Sequence, residues 1–168
     1  MKKLESKIVV LDNNRYLVYL KRVPTKSGQE GEKNAFIQLI KQQQEGSVVV
    51  ELIENSEIND ALLSLAMIEA FSSMGVKTAL DDLCNPKSML SIAVLQLVDV
   101  VKLDKYVLSK KGDAKYMSFV RKMIDFAHEA KKTVVLEGVE TAEDLQFSRA
   151  LGVDFIQGFY FSSMFKKI

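Results

Sequence analysis

The sequence has few of the residues on which several kinds of site depend. Its 168 residues include one cysteine, one histidine, two prolines, eight glycines and no tryptophan. A single cysteine cannot form an internal disulfide, and with a single histidine it excludes the usual Cys/His zinc sites. We therefore expect a reducing compartment and predict a cytoplasmic protein. The scarcity of Gly and Pro, together with 48% hydrophobic residues, excludes a disordered chain.

Charge of one sign and long apolar runs are lacking as well. Lys and Arg number 23 against 22 Asp and Glu, which gives a formal net charge of +1. This balance creates no long-range field that would hold DNA or an anionic bilayer. No apolar run approaches the roughly 20 residues of a membrane helix. We predict neither DNA binding nor a membrane span, so any phosphate chemistry must come from a local site.

The apolar pattern predicts an N-terminal hairpin followed by alternating helices and strands. Residues 7–11 and 16–23 are rich in β-branched and apolar residues and flank the turn residues Asp12, Asn13 and Asn14. The predicted helices are residues 34–44, 59–74, 85–97, 113–130 and 141–151, and the strands that follow them begin at residues 48, 76, 99, 133 and 153. This alternation predicts an α/β fold of parallel strands covered by helices, within one domain.

Each predicted strand after the hairpin ends in polar residues, most of which are carboxylates. These residues are Glu51, Glu54, Asp81, Asp82, Lys102, Asp104, Glu137, Glu140 and Gln157. Because the carboxyl ends of barrel strands meet at one rim, we expect these side chains to converge there. Gathered carboxylates repel one another unless cations lie among them, and oxygen ligands suit Mg²⁺ or Mn²⁺ better than zinc. Two such ions would activate a bridging water toward a phosphodiester.

These motifs resemble the EAL domain, the cyclic di-GMP phosphodiesterase family of bacterial signalling. The resemblance rests on Glu51-Leu-Ile-Glu54, Ala79-Leu80-Asp81-Asp82, Lys102-Leu103-Asp104, Glu137-Gly138-Val139-Glu140-Thr141 and Gln157-Gly158-Phe159-Tyr160-Phe161-Ser162. It implies a modified TIM-type (β/α) barrel whose first strand is antiparallel, which suits the predicted hairpin. Residues 1–168 are then a single EAL-like domain, with a divergent part at 1–46 and a well-matched part at 47–168.

The resemblance also implies a role for each strand-end residue. The implied metal ligands are Glu51, Asp81, Asp82 and Glu137. The implied catalytic residues are Lys102, Asp82 and Glu140, with Lys102 positioning the attacking water. Asp104 and Gln157 would contact the ligand or metal-bound waters, and Glu54 would anchor the loop after the Asp-Asp pair. The implied ligand is cyclic di-GMP, with Mg²⁺ or Mn²⁺ as cofactor in an active form and no bound metal otherwise.

The N-terminal part departs from the family pattern. If residues 16–22 form the Glu-Ala-Leu strand for which the family is named, Val18 replaces its metal-binding glutamate. If they form the following strand, the family's metal-binding asparagine is missing, together with most of the first unit. Either way about one βα unit is absent, so we predict an incomplete barrel. Losing one or two oxygen ligands should weaken metal binding by orders of magnitude.

The loop after Asp82 departs from the family as well. The chain has Leu83-Cys84-Asn85-Pro86 where the family has a Phe-Gly-Thr-Gly-like loop. This replacement removes the glycine freedom that lets the family's loop move over the site and couple to dimerisation.

Three functions are compatible with these residues. We predict a degenerate domain with weak or no hydrolysis, which senses cyclic di-GMP or regulates a partner protein. The alternative is an active Mg²⁺- or Mn²⁺-dependent phosphodiesterase. An unrelated barrel enzyme with Lys102 as a Schiff-base nucleophile would leave the other strand-end carboxylates unexplained. We also predict a homodimer, because a barrel short of one unit should leave an open edge or apolar patch.

Overall fold

A single open sheet organises the molecule. The computed structural model describes residues 6–11, 15–21, 48–52 and 58–164. The strands are β1 Ser6–Leu11, β2 Arg15–Lys21, β3 Val48–Leu52, β4 Lys77–Leu83, β5 Val100–Leu103, β6 Thr133–Leu136 and β7 Phe155–Ile156, and they neighbour one another in that order. The first pair is antiparallel and every later pair is parallel. The predicted α/β class, with an N-terminal hairpin on an incomplete barrel, is confirmed.

Helices connect the later strands, and local chemistry sets their ends. They are α1 Ile58–Ser72, α2 Ile92–Leu97, α3 Tyr106–Ser109, α4 Ala114–Glu129 and α5 Ala142–Leu151, and a 3-10 segment, Phe159–Met164, follows β7. Asp113 caps α4, Thr141 and Asp144 form the predicted capping box of α5, and Gly152 ends α5 at φ 82°. Within the described ranges, no helix is both long and apolar enough to cross a bilayer.

The helix predicted to begin at Asn85 is the main error, because it begins at Ile92. The Asn85 Oδ1 accepts the backbone N–H of Lys87 at 2.9 Å, which closes a single turn. Ser91 is the actual N-cap and accepts the N–H of Val94 at 3.3 Å. An asparagine that bonds the backbone two residues on favours a turn over a helix start, although the local signal is similar. The helix predicted at residues 34–44 lies outside the described residues.

The core has two sides, one on each face of the sheet. The larger side packs β4, β5 and β6 against α2, α3 and α4, and Val94, Val101, Val107, Val120 and Val134 are fully buried there. A smaller layer on the inner face takes one residue from each of four consecutive strands: Val49, Ala79, Val100 and Val135. Side chains two residues apart along a strand share a face, so the residues two positions after these four lie on the same face of the sheet. Those residues are polar.

Candidate functional site

The polar layer lies directly above the apolar inner layer. Glu51 follows Val49, Asp81 follows Ala79, Lys102 follows Val100 and Glu137 follows Val135, each two residues along its chain. Strand alternation therefore turns these four side chains to the inner face, at the carboxyl ends of the strands. The predicted convergence of strand-end residues has this simple geometric origin.

Lys102 lies at the centre of the polar layer and is 1% exposed. Its Nζ lies 2.6 Å from the Glu51 Oε1, 3.1 Å from the Asp81 Oδ1 and 2.5 Å from the Glu137 Oε1. Glu51 is itself 5% exposed. A buried ammonium is tolerated because carboxylates from three other strand ends surround it, and the same ammonium limits their mutual repulsion.

The pKa values follow from this crowding. Burial lowers the pKa of Lys102, but attraction by Asp81, Glu137 and Glu51 outweighs it and leaves the pKa above its ordinary value. Burial raises the pKa of Glu51, and the nearby Lys102 only partly opposes the rise. Lys102 therefore stays charged at neutral pH, while Glu51 takes up a proton more readily than an exposed glutamate.

Lys102 and its partners Glu51, Asp81 and Glu137 form the Lys102 cluster. A second group, of carboxylates alone, overlaps this cluster. Carboxylate oxygens of Asp81, Asp82 and Glu137 lie within 4.8 Å of one another. Burial, followed by repulsion from Asp81, Asp104 and Glu137, raises the pKa of Asp82 to about 6. This group shares Asp81 and Glu137 with the Lys102 cluster, whereas Glu51 belongs to the Lys102 cluster alone. The two groups together thus hold four carboxylates and one ammonium, which contacts three of them.

The Asp-Asp pair is presented by an irregular stretch of β4. The register with β5 shifts between Leu80 and Leu83, so Asp81 and Asp82 lie in a β-bulge. Asp82 and Cys84 have positive φ values of 58° and 68°. A bulge of this kind lets two successive carboxylates approach one site, whereas a regular strand would turn them to opposite faces.

Of the other predicted site residues, some lie at this site and others lie away from it or outside the described residues. Asp104 follows β5, and its Oδ1 accepts the N–H of Tyr106 at 2.6 Å while it also bonds Asp82. Gln157 is buried beside β6, and its Oε1 accepts no hydrogen bond from the part of the chain that the structure describes. Glu140 is exposed near the start of α5, outside the three-carboxylate group. Glu54 lies outside the described residues, and only the backbone of Val18, in β2, is described.

Sequence reasoning missed one residue that touches the site's loop. The Tyr116 hydroxyl, on α4, donates to the Cys84 carbonyl oxygen at 2.6 Å. Tyr116 and Cys84 are 32 residues apart, so no local pattern connects them. The signal that could have pointed to such a contact is the loop itself, which lacks glycine at a place where the backbone needs positive φ.

The oxygen donors fit a hard divalent ion. Asp81, Asp82 and Glu137 offer one carboxylate oxygen each at mutual distances suited to a single ion, and Gln157 adds a buried amide oxygen at the same edge. Such a donor set favours Mg²⁺ or Mn²⁺ over zinc. Glu51 lies outside this three-carboxylate group, and the Lys102 ammonium supplies positive charge to Glu51, Asp81 and Glu137 alike.

The fold and this cluster define a class of protein: an open α/β barrel with an acidic, oxygen-rich site at the carboxyl ends of its strands. Comparison with known families agrees with that class. Residues 13–164 match the family model of the EAL domain, and the chain therefore belongs to the EAL domain family.

Individual relatives match part of their own length. The cyclic di-GMP phosphodiesterase PdeR of Escherichia coli K12 is 33% identical over 114 residues, which cover 67% of this chain and 17% of PdeR. An EAL domain protein from Listeria monocytogenes EGD-e has a TM-score of 0.62 and 28% identity, covering 79% of this chain and 54% of that chain. The MucR phosphodiesterase of Pseudomonas aeruginosa, in complex with cyclic di-GMP, has a TM-score of 0.62 and 25% identity, covering 77% and 52%. This chain thus spans about a sixth of PdeR and little more than half of each solved chain.

Proposed function

We propose that the chain is a degenerate EAL domain that binds cyclic di-GMP as a sensor or regulator and hydrolyses it weakly or not at all. Its relatives include cyclic di-GMP phosphodiesterases, which supports the ligand class. In this proposal residues 1–168 form a single EAL-type domain, with a divergent part at 1–46 and a well-matched part at 47–168. Binding and hydrolysis can be lost separately, because the chain retains Asp81, Asp82 and Glu137. By resemblance, it lacks the metal-binding glutamate or asparagine of the family's N-terminal part.

The observation that carries the proposal is that the carboxylates form a group suited to one ion. Oxygens of Asp81, Asp82 and Glu137 lie close enough together to share an ion, whereas Glu51, the fourth implied ligand, lies outside that group. The Lys102 ammonium lies 2.5–3.1 Å from Glu51, Asp81 and Glu137 and balances their charge. Hydrolysis by two ions needs both attacking and leaving oxygens to be stabilised, so a site for one ion should retain affinity and lose rate.

The roles of the site residues follow from this division. Asp81, Asp82 and Glu137 would hold one Mg²⁺ or Mn²⁺, and when bound the ion supplies positive charge to a phosphate oxygen. Lys102 would position an approaching water by exchanging one of its three carboxylate bonds for a bond to that water, and its charge favours the ionised form of Glu51. Asp104 and Gln157 would contact the nucleotide, and the exposed Glu140 would reach the site only with ligand present.

Calorimetric titration with cyclic di-GMP, in EDTA and in Mn²⁺, tests the binding half. We expect binding that Mn²⁺ strengthens, and a weaker affinity for Gln157→Ala. Gln146→Ala changes the same side-chain type at an exposed position of α5 and should bind like the parent. Absence of binding heat at every metal concentration would refute nucleotide sensing and leave regulation by protein contact.

Turnover tests the catalytic half and the alternative of an active phosphodiesterase. The three-carboxylate group is the feature that favours this alternative. We expect Mn²⁺-dependent conversion of cyclic di-GMP to the linear dinucleotide to be no faster than in Glu137→Ala. A rate clearly above that control would establish an active phosphodiesterase.

Partner binding stays a prediction and can be tested directly. Met89, Leu90, Ile92 and Leu97 are exposed apolar side chains in one stretch of chain after β4, which supports the expected homodimer. Light scattering at micromolar concentration should give twice the mass of the chain. A monomer under those conditions would contradict the dimer and leave a partner protein as the regulatory contact.

A further inference from the structure

The loop that follows the Asp-Asp pair has a conformation that its residues do not favour. Asp82 and Cys84 both have positive φ, at 58° and 68°, although each carries a Cβ. A residue other than glycine is disfavoured in this region, so the conformation persists only if surrounding contacts hold it. The site's β-bulge, between Leu80 and Leu83, directly precedes this loop.

Three hydrogen bonds hold the loop in place. The N–H of Asp104 donates to the Leu83 carbonyl at 2.9 Å, and the N–H of Asn85 donates to the Asp82 carbonyl at 3.2 Å. The Tyr116 hydroxyl donates to the Cys84 carbonyl at 2.6 Å. Only the Tyr116 bond, among these three, is made by a side chain, and removing the hydroxyl oxygen alone would eliminate it.

Tyr116 is itself held firmly. It lies in the first turn of α4, where its backbone N–H donates to the Asp113 cap at 3.0 Å. The ring of Tyr106 packs edge-on against its ring, with centroids 5.7 Å apart. Burial raises the pKa of the Tyr116 hydroxyl, so it remains a donor over the whole working range of pH. A donor fixed in this way can constrain the loop rather than follow it.

We infer that Tyr116 is a positioning residue: its hydroxyl holds the Cys84 carbonyl and thereby fixes the bulge that directs Asp82 into the carboxylate group. Glycine would give this loop conformational freedom. The hydrogen bond instead holds it in one geometry. Tyr116 touches no reacting atom and acts through the loop backbone. As a role in metal binding, the inference rests on the proposed function. The hold on the loop does not.

Cys84 allows the hold on the loop to be tested without metal or nucleotide. It is the only cysteine and is 9% exposed, so a thiol reagent such as DTNB reports opening at this one place. Tyr116→Phe removes the hydroxyl and keeps the ring. A net hydrogen bond corresponds to roughly a two- to tenfold change in an opening equilibrium, and we expect Cys84 to react faster by that factor.

The matched control is Tyr106→Phe, which removes a neighbouring hydroxyl and leaves the Cys84 bond intact. Its thiol should react at the parental rate. The faster reaction of Tyr116→Phe should also be insensitive to low urea, because opening of one loop exposes little surface, whereas global unfolding is strongly urea-dependent. A parental rate in Tyr116→Phe, or an acceleration that grows steeply with urea, would overturn the inference.

Mn²⁺ binding, followed by electron paramagnetic resonance, tests whether Tyr116 acts through Asp82. We expect Tyr116→Phe to weaken Mn²⁺ binding roughly two- to tenfold in the parent and to have no further effect in Asp82→Asn. Equal losses in both backgrounds would refute a positioning role through Asp82. If the parent binds no Mn²⁺, the proposed metal site fails, and the thiol experiment alone decides whether Tyr116 holds the loop.

Discussion

Replacing Lys102 by Met tests whether the central ammonium holds the polar layer together. Met retains most of the side-chain length, so the change removes the charge and largely preserves packing. The variant leaves Glu51 at 5% exposure without the ammonium that lies 2.6 Å away. Breaking a buried ion pair by removing one partner typically costs about 3–5 kcal/mol, because the remaining charge is buried and uncompensated. We expect a loss of free energy of unfolding of that size near neutral pH.

The loss should depend on pH, and its sign follows from Glu51. Burial already raises the pKa of Glu51, and Lys102 opposes the rise. Without Lys102 the folded-state pKa rises further above the unfolded value. Stability from such a group is present below the unfolded pKa and is lost as pH rises through the folded pKa. The variant should therefore be closest to the parent in mild acid and furthest from it at alkaline pH.

Urea unfolding followed by far-ultraviolet circular dichroism measures this effect, since the chain has no tryptophan for fluorescence. Two pH values suffice, one near 5 and one near 8. Lys122→Met, at an exposed position of α4, is the matched control and should change stability little at either pH. Adding Glu51→Gln to Lys102→Met should recover part of the loss. A difference from the parent below about 1 kcal/mol, or one independent of pH, would refute the reasoning.

Three further predictions concern stability and use the same unfolding measurement. Asp82→Asn should stabilise the fold near pH 8 by about 1 kcal/mol after allowance for solvent screening, and the gain should vanish as pH falls through about 6 toward 3.8, since the folded pKa exceeds the unfolded one. Thr141→Ala should cost about 1 kcal/mol, because it removes the N-cap of α5, and Thr141→Ser should not. Gly158→Ala should cost about 1–3 kcal/mol because its Cβ would overlap the backbone of Val139. In contrast, Gly112→Ala meets open space and should be neutral or slightly stabilising.

The fold could be predicted to the extent that its signals are local. Buried parallel strands read as apolar runs, and caps such as Asp113 and Thr141 bond within their own helix, so both leave a mark in the sequence. The predicted strand starts at residues 99 and 153 lie slightly before Val100 and Phe155, where β5 and β7 begin. The Asp99 side chain accepts the N–H of Thr78 and the Asp154 side chain that of Val134. Just before β5 and β7 begin, these aspartates therefore contact the neighbouring strand through their side chains. An apolar pattern does not reveal such contacts.

The convergence of the site could also be predicted, but its internal arrangement could not. Period-two alternation places Glu51, Lys102 and Glu137 on the inner face once the strands are known to be parallel. The bulge at Asp81 and Asp82 breaks that alternation and depends on the pairing of β4 with β5. The roles assigned to the site residues stay predictions, which the Mn²⁺-binding and turnover measurements test.

Lys102 connects the stability of this domain to its proposed loss of catalysis. The carboxylates that an ion needs are the same groups that destabilise the fold when no cation is near them. A protein that depends on metal for this compensation is unstable without it, whereas Lys102 provides a permanent positive charge 2.5–3.1 Å from three of the carboxylates. Once that charge suffices for folding, the loss of ligands elsewhere in the chain carries little cost in stability. In the proposed function, such a domain would remain folded and bind its anionic nucleotide without the second ion that rapid hydrolysis would need.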